Sequence, residues 1–93
     1  MTQRHKWLYP NDAIELVRIA QETEIPLLGF DAARITGGTT EPSLEDSWDY
    51  SSKTWPTVPD PYSHSLKFIK ARSEQGLHFE IVLGEVTLTN PFS

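Results

Sequence analysis

Five carboxylates crowd one stretch of this chain. Between Thr36 and Pro61 stand Glu41, Glu45, Asp46, Asp49 and Asp60 against a single base, Lys53, which places there four of the chain's five net negative charges. Trp48, Tyr50 and Trp55 are interleaved with them. Several kinds of chemistry suit such a set. Paired carboxylates can share acid–base work. They can hold a cation, although the calcium-loop pattern with its glycine is missing. They can also form an acidic, aromatic face for a basic partner, where charge steers the encounter and fixes its orientation and aromatic side chains anchor it. A solvated acidic loop with none of these roles is the plain alternative.

The other chemistry-bearing residues are scattered. His5, His64 and His78 fall in a lead-in, a helix and a strand, with no pair at i, i+4 and no His-Glu-x-x-His spacing. Gly37-Gly38 is not followed by Gly-Lys-Ser/Thr, so it is no phosphate loop. No Gly-x-Ser-x-Gly elbow is present. Cysteine is absent, which removes disulfides and thiolate zinc sites. No metal and no cofactor is therefore expected.

The elements that must position the acidic stretch follow from periodicity. Pro10 and Asn11 close a short lead-in whose Trp7, Leu8 and Tyr9 are expected to pack on the core. Asp12 and Glu15 have capping-box spacing, and Ala13, Leu16, Val17 and Ala20 share one helical face, which predicts a helix over 12–23. Pro26 suits a strand start. Leu27 to Ile35 reads as a strand, with Leu28, Phe30 and Ala32 on one face and Leu27, Gly29, Asp31 and Ala33 on the other. Gly29 marks a bulge or a close backbone approach. Asp31 either bonds a nearby loop or faces a partner. Gly37-Gly38 is a turn. Ser43 to Asp46 is one helical turn or a bend, and alternation predicts a strand over 46–51, with Trp48 and Tyr50 on one face and Ser47 and Asp49 on the other. Lys53 to Pro59 is loop. Asp60 as N-cap and Pro61 at N1 start a second helix over 61–75, closed by Gly76 as the residue after its cap. Leu77 to Leu83 alternates cleanly, with Leu77, Phe79, Ile81 and Leu83 inward and His78, Glu80 and Val82 outward. Val86 and Leu88 continue it or start a hairpin arm, and Asn90 to Ser93 ends the chain.

The order helix, strand, strand, helix, strand predicts one α+β domain spanning 1–93. Its antiparallel sheet has three or four strands, with two helices packed on one face. Ninety-three residues fit one domain and bury a little over ~60% of the unfolded surface. The polar start Met1–Lys6 has no apolar run behind it, so no signal peptide is expected. No apolar stretch approaches the ~18 residues of a membrane span. At net charge −5, direct nucleic-acid binding is not expected either, because phosphate contacts need clustered Lys and Arg.

Taken in order, Ala13-Ile14-Glu15, Leu28-Gly29-Phe30-Asp31 and Ser47-Trp48-Asp49-Tyr50 are followed by a proline-rich gap, a second helix, Gly76 and an apolar final strand. This set resembles the immunity proteins of the anticodon-cleaving tRNase colicins, relatives of which accompany polymorphic and contact-dependent toxins. The resemblance covers residues 12–84; Gly29, Asp31, Ser47, Trp48 and Tyr50 match residue by residue. Ala32 stands where the family often has glycine, and the Gly37-Gly38-Thr39-Thr40 turn and the tail after Gly84 are additions. The resemblance implies a cytoplasmic bacterial inhibitor, not an enzyme, that covers the tRNA site of a toxin's basic nuclease domain by mimicking the anticodon stretch. Asp31, Glu45, Asp46 and Asp49 would stand for phosphates, and Trp48, Tyr50 or Trp55 for bases. Because Trp48 and Tyr50 share a strand face, that face is expected to turn into the core. Ser47, Asp49, Glu41, Glu45, Asp46 and the run around Trp55 then become the better contacts. The alternative is a small enzyme or accessory subunit that uses the acidic loop on a metal or cationic ligand, with Asp31, Asp49 and His64 or His78 converging in a pocket. A subunit that only self-assembles is a third reading.

Overall fold

The first helix begins two residues earlier than its capping-box spacing suggests. In the computed structural model, which describes residues 6–84, α1 spans Pro10–Glu22 with Tyr9 at the N-cap position and no side-chain cap. Pro10 takes N1, where its fixed φ suits the helix and its missing N–H costs nothing. Asp12 therefore lies in the first turn, where its charge meets the positive end of the helix dipole, and caps nothing. The far end closes with a Schellman motif. Glu24 stands in the left-handed region at φ 58°, the Ile25 N–H donates to the Ala20 carbonyl at 2.9 Å, and the Glu24 N–H donates to Gln21 at 3.3 Å.

Strand β1 (Leu27–Thr36) is central, with β2 (Thr39–Asp49) and β3 (Leu77–Leu83) antiparallel on either side. Gly37 and Gly38 form the two-residue β1–β2 turn, with φ of 56° and 81°, the signs that a type I′ hairpin turn requires at both positions. β2 thus starts at Thr39, seven residues before the predicted 46, because β1 pairs straight through this turn from Thr36↔Thr39 to Ala32↔Ser43. Pro42 hid this arm from a propensity reading, since proline demotes a strand, yet on an edge strand it is tolerated. The second helix, α2 (Pro61–Ala71), has the expected cap: Asp60 accepts from the Ser63 N–H at 3.2 Å. It ends at Ala71 instead of 75, and Gly76 belongs to the turn that leads into β3.

Both helices cover one face of the sheet. Ala13 and Val17 of α1 and Ile69 of α2 meet Phe30, Ala32, Leu77 and Phe79 in the core, joined by Leu8. Burying Phe79 or Phe30 completely contributes roughly 1.5–3 kcal/mol each. Leu8 also pairs with Phe79 as a bridge on the outer edge of β3, which covers part of that edge. The lead-in therefore divides, with Leu8 in the core, Trp7 half-buried and Tyr9 67% exposed. Leu28 does not join Phe30 inside as alternation predicts. A register shift against β3 between Leu27 and Gly29 turns Leu27 inward and leaves Leu28 exposed. Val86, Leu88 and the end at Asn90–Ser93 lie outside the described residues. The result is an α+β fold with a three-stranded antiparallel sheet.

Candidate partner-binding surface

The acidic stretch is shaped by a four-residue bulge. Phe30 pairs with Trp48 and Ala32 with Ser43, so one β1 residue, Asp31, faces four on β2: Leu44, Glu45, Asp46 and Ser47. Ser47 holds the bulge from inside. Its hydroxyl accepts from the buried Ala32 N–H at 2.9 Å and donates to the Ser43 carbonyl at 2.7 Å. Asp46 holds it to α2. The Ser43 hydroxyl donates to one carboxylate oxygen at 2.6 Å, and Arg72 Nε donates to the other at 2.8 Å. The Ser43 bond first, then Arg72, keeps the Asp46 carboxyl below its ordinary range despite an opposing effect of burial. Arg72 is itself fixed, its guanidinium 3.5 Å from the Phe68 ring centroid.

This arrangement corrects several expected contact residues. Ser47 is 8% exposed and both its bonds are internal, so it is a structural pin. Asp46 is a clamp between the bulge and α2. Trp48 and Tyr50 turn towards the helices, as their shared face suggested, into a cluster with Phe30, His64 and Phe68. Trp55 packs 5.1 Å from Trp48 and is half-buried. The Tyr50 hydroxyl lies 2.8 Å from His64 Nδ1. Burial pushes the phenol's pKa up and, with help from Arg72, the imidazole's down. The pair is therefore neutral near pH 7, and the tautomer of His64 sets which of the two donates. Asp49 accepts from the Ser51 hydroxyl at 2.6 Å and the Ser51 N–H at 2.9 Å, which lowers its pKa and stiffens the entry to the 51–60 loop.

Asp31, Glu41 and Glu45 stay exposed. Asp31 points away from the helices, since its neighbours Phe30 and Ala32 point towards them. Directly across the β1–β3 ladder from Asp31 stands Glu80. Sequence reasoning placed Glu80 outward but had no register to put it beside Asp31. Asp31 and Asp49 line a small pocket of about 230 Å³ with Leu28 and Val82. Neither His64 nor His78 lines it: His64 is on the helix side of the sheet, and His78 lies against Tyr9 at 5.0 Å. The convergence required by the enzyme reading is not formed. Among the described residues, no three His, Cys, Asp or Glu group closely enough to hold a metal ion, and no helix is long and apolar enough to cross a membrane. Neither the protein-family models nor the curated proteins compared with this chain match it.

Proposed function

We propose that this protein is an immunity-type inhibitor that binds and neutralises a cognate bacterial toxin in the cytoplasm. Its target would be a basic, tRNase-like RNase domain whose active site it covers. The observation that supports the reading best is the placement of Asp31, Glu41 and Glu45. All three are exposed: Asp31 stands on the central strand β1, Glu41 on the paired arm of β2, and Glu45 in the bulge that Ser47 and Asp46 fasten. Charges on a rigid hairpin lose little entropy on binding, so they steer a basic partner and set its orientation at low cost. With Trp48 and Tyr50 packed against α2, the mimicry rests on charge placement more than on stacked aromatic bases.

The test is co-expression with the product of the adjacent upstream gene. Co-purification and protection of cells from that product are the expected results; failure of both overturns the reading. Glu41→Lys with Glu45→Lys should weaken the complex at low salt and flatten its salt dependence, because exposed charges act through a screened field. Unchanged affinity and salt dependence would place the interface elsewhere.

A further inference from the structure

We infer that the face of the sheet opposite the helices carries a groove that receives one cationic side chain, arginine or lysine, from a protein partner. The groove encloses about 500 Å³ between the 43–47 bulge and the lead-in, with Trp7, Pro42 and Leu44 among its lining and Asp31 and Glu80 beside them. Its lining is mostly apolar. Such a site matches a side chain that is apolar along its stem and charged at its tip, since Lys and Arg lay their methylenes on apolar surface while the head finds a polar partner. The two carboxylates sit opposite each other on adjacent strands, so both lie within reach of one cationic tip seated in the groove. Each carboxylate offers about four acceptor directions, so contacts that either already makes leave room for a guanidinium fork. Trp7 adds an aromatic surface suited to a cation.

The surroundings favour a protein over a small cation. Among the described residues, four of the five exposed large hydrophobics belong to this side: Leu44 at 74%, Tyr9 at 67%, and Leu28 and Val82 at 37% each. An apolar patch around a charged pocket is the anatomy of an interface with a buried anchor. A second copy of this chain fits poorly. A two-fold contact through this face would bring the same carboxylates of both copies together, on a protein of net charge −5. The inference rests on the reading of this protein as a binder of a basic partner and names where the anchor seats.

The experiment is a ¹⁵N NMR titration of the full chain with the peptide acetyl-Leu-Arg-Leu-amide, and separately with acetyl-Leu-Glu-Leu-amide. The arginine peptide should give saturable shifts at the amides of Asp31, Ala33, Leu44 and Glu80. Binding should weaken at least about tenfold, the order expected for one charged hydrogen-bonded contact, in the double variant Asp31→Asn/Glu80→Gln. Leu44→Ser removes a wall at an exposed position that the core does not use. It should also weaken binding, while an unchanged thermal midpoint shows the fold intact. Absence of saturable shifts, equal shifts with the glutamate peptide, or shifts confined to Glu41 and Glu45 would each overturn the inference. So would a dimer in solution that Leu44→Glu dissolves. None of these outcomes bears on co-purification with the upstream gene product, so the groove and the inhibitor reading can fail separately.

Discussion

Replacing Ser47 by alanine tests the account of the bulge most directly. The Ser47 hydroxyl is the acceptor for the Ala32 N–H, and Ala32 has no exposed surface. Without it, that donor is left buried and unsatisfied, which costs about 1–3 kcal/mol. The Ser43 carbonyl also loses a donor, but Ser43 is half-buried and water can replace it, so this adds roughly 0.5–1 kcal/mol. The sum is about 1.5–4 kcal/mol, against a total stability of about 5–14 kcal/mol for a domain of this length. Urea unfolding should show the midpoint falling by roughly 2 M, for a slope near ~1 kcal/mol/M. The thermal midpoint should drop on the order of 10 °C. Hydrogen exchange gives the site-specific reading: the Ala32 amide should exchange faster in the variant by more than the global loss of stability explains. Ser43→Ala, which removes only the bond to Asp46, should cost about 1 kcal/mol. A loss below about 0.5 kcal/mol for Ser47→Ala, or unchanged Ala32 exchange, would refute the assignment of Ser47 as a pin.

Other substitutions probe the rest of the scaffold. A Cβ on Gly29 would meet the Trp48 carbonyl oxygen at 2.5 Å; because both partners are strand backbone, Gly29→Ala should destabilise by about 1–3 kcal/mol in urea titration, and a neutral result would show that β1 and β2 part easily here. Glu24→Gly relieves a left-handed glutamate at the end of α1 and should stabilise by about 0.5–1 kcal/mol after the entropy glycine loses on folding; a lower thermal midpoint would count against it. His64 has a folded pKa below its ordinary value through burial and then Arg72, so unfolding takes up its proton first. Stability should be full above pH 6.5 and fall as the pH drops through that value towards the folded pKa. In His64→Gln, urea titrations from pH 8 to 5 should show a flatter profile; an unchanged slope would mean that another group titrates. Asp46, lowered through Ser43 and then Arg72, predicts a further loss as the pH falls below the unfolded carboxylate range, absent in Asp46→Asn when acid titration is followed by circular dichroism.

Much of the fold was legible before any coordinates. Val17 and Ala20 on α1, Ile69 on α2 and the alternation of β3 are local periodicities, and each turned the expected face inward. The Asp60 cap and the Gly37-Gly38 turn are equally local, because the residue types themselves restrict the backbone there. What was misread depends on pairing. The arm of β2 from Thr39 to Ser43 is polar and contains Pro42, and it is a strand only because β1 supplies its hydrogen bonds. Leu28 departs from alternation because a register shift between β1 and β3 intervenes.

The candidate surface divides along the same line. Sequence alone determined that negative charge concentrates between Thr36 and Pro61, that Trp48 and Tyr50 share a face, and that Asp31 and Glu80 belong to strands whose alternate residues are apolar. Composition and a period of two suffice for this, because both are properties of neighbouring residues. Tertiary structure alone decided that Ser47 and Asp46 are fastened inside, that Asp31 stands beside Glu80, and that Trp7, Pro42 and Leu44 line one groove with them. Those facts depend on strand register and on the size of a bulge. Both are set by contacts between residues far apart in the chain, as in the pairing of Asp31 with Glu80, and no local pattern encodes them.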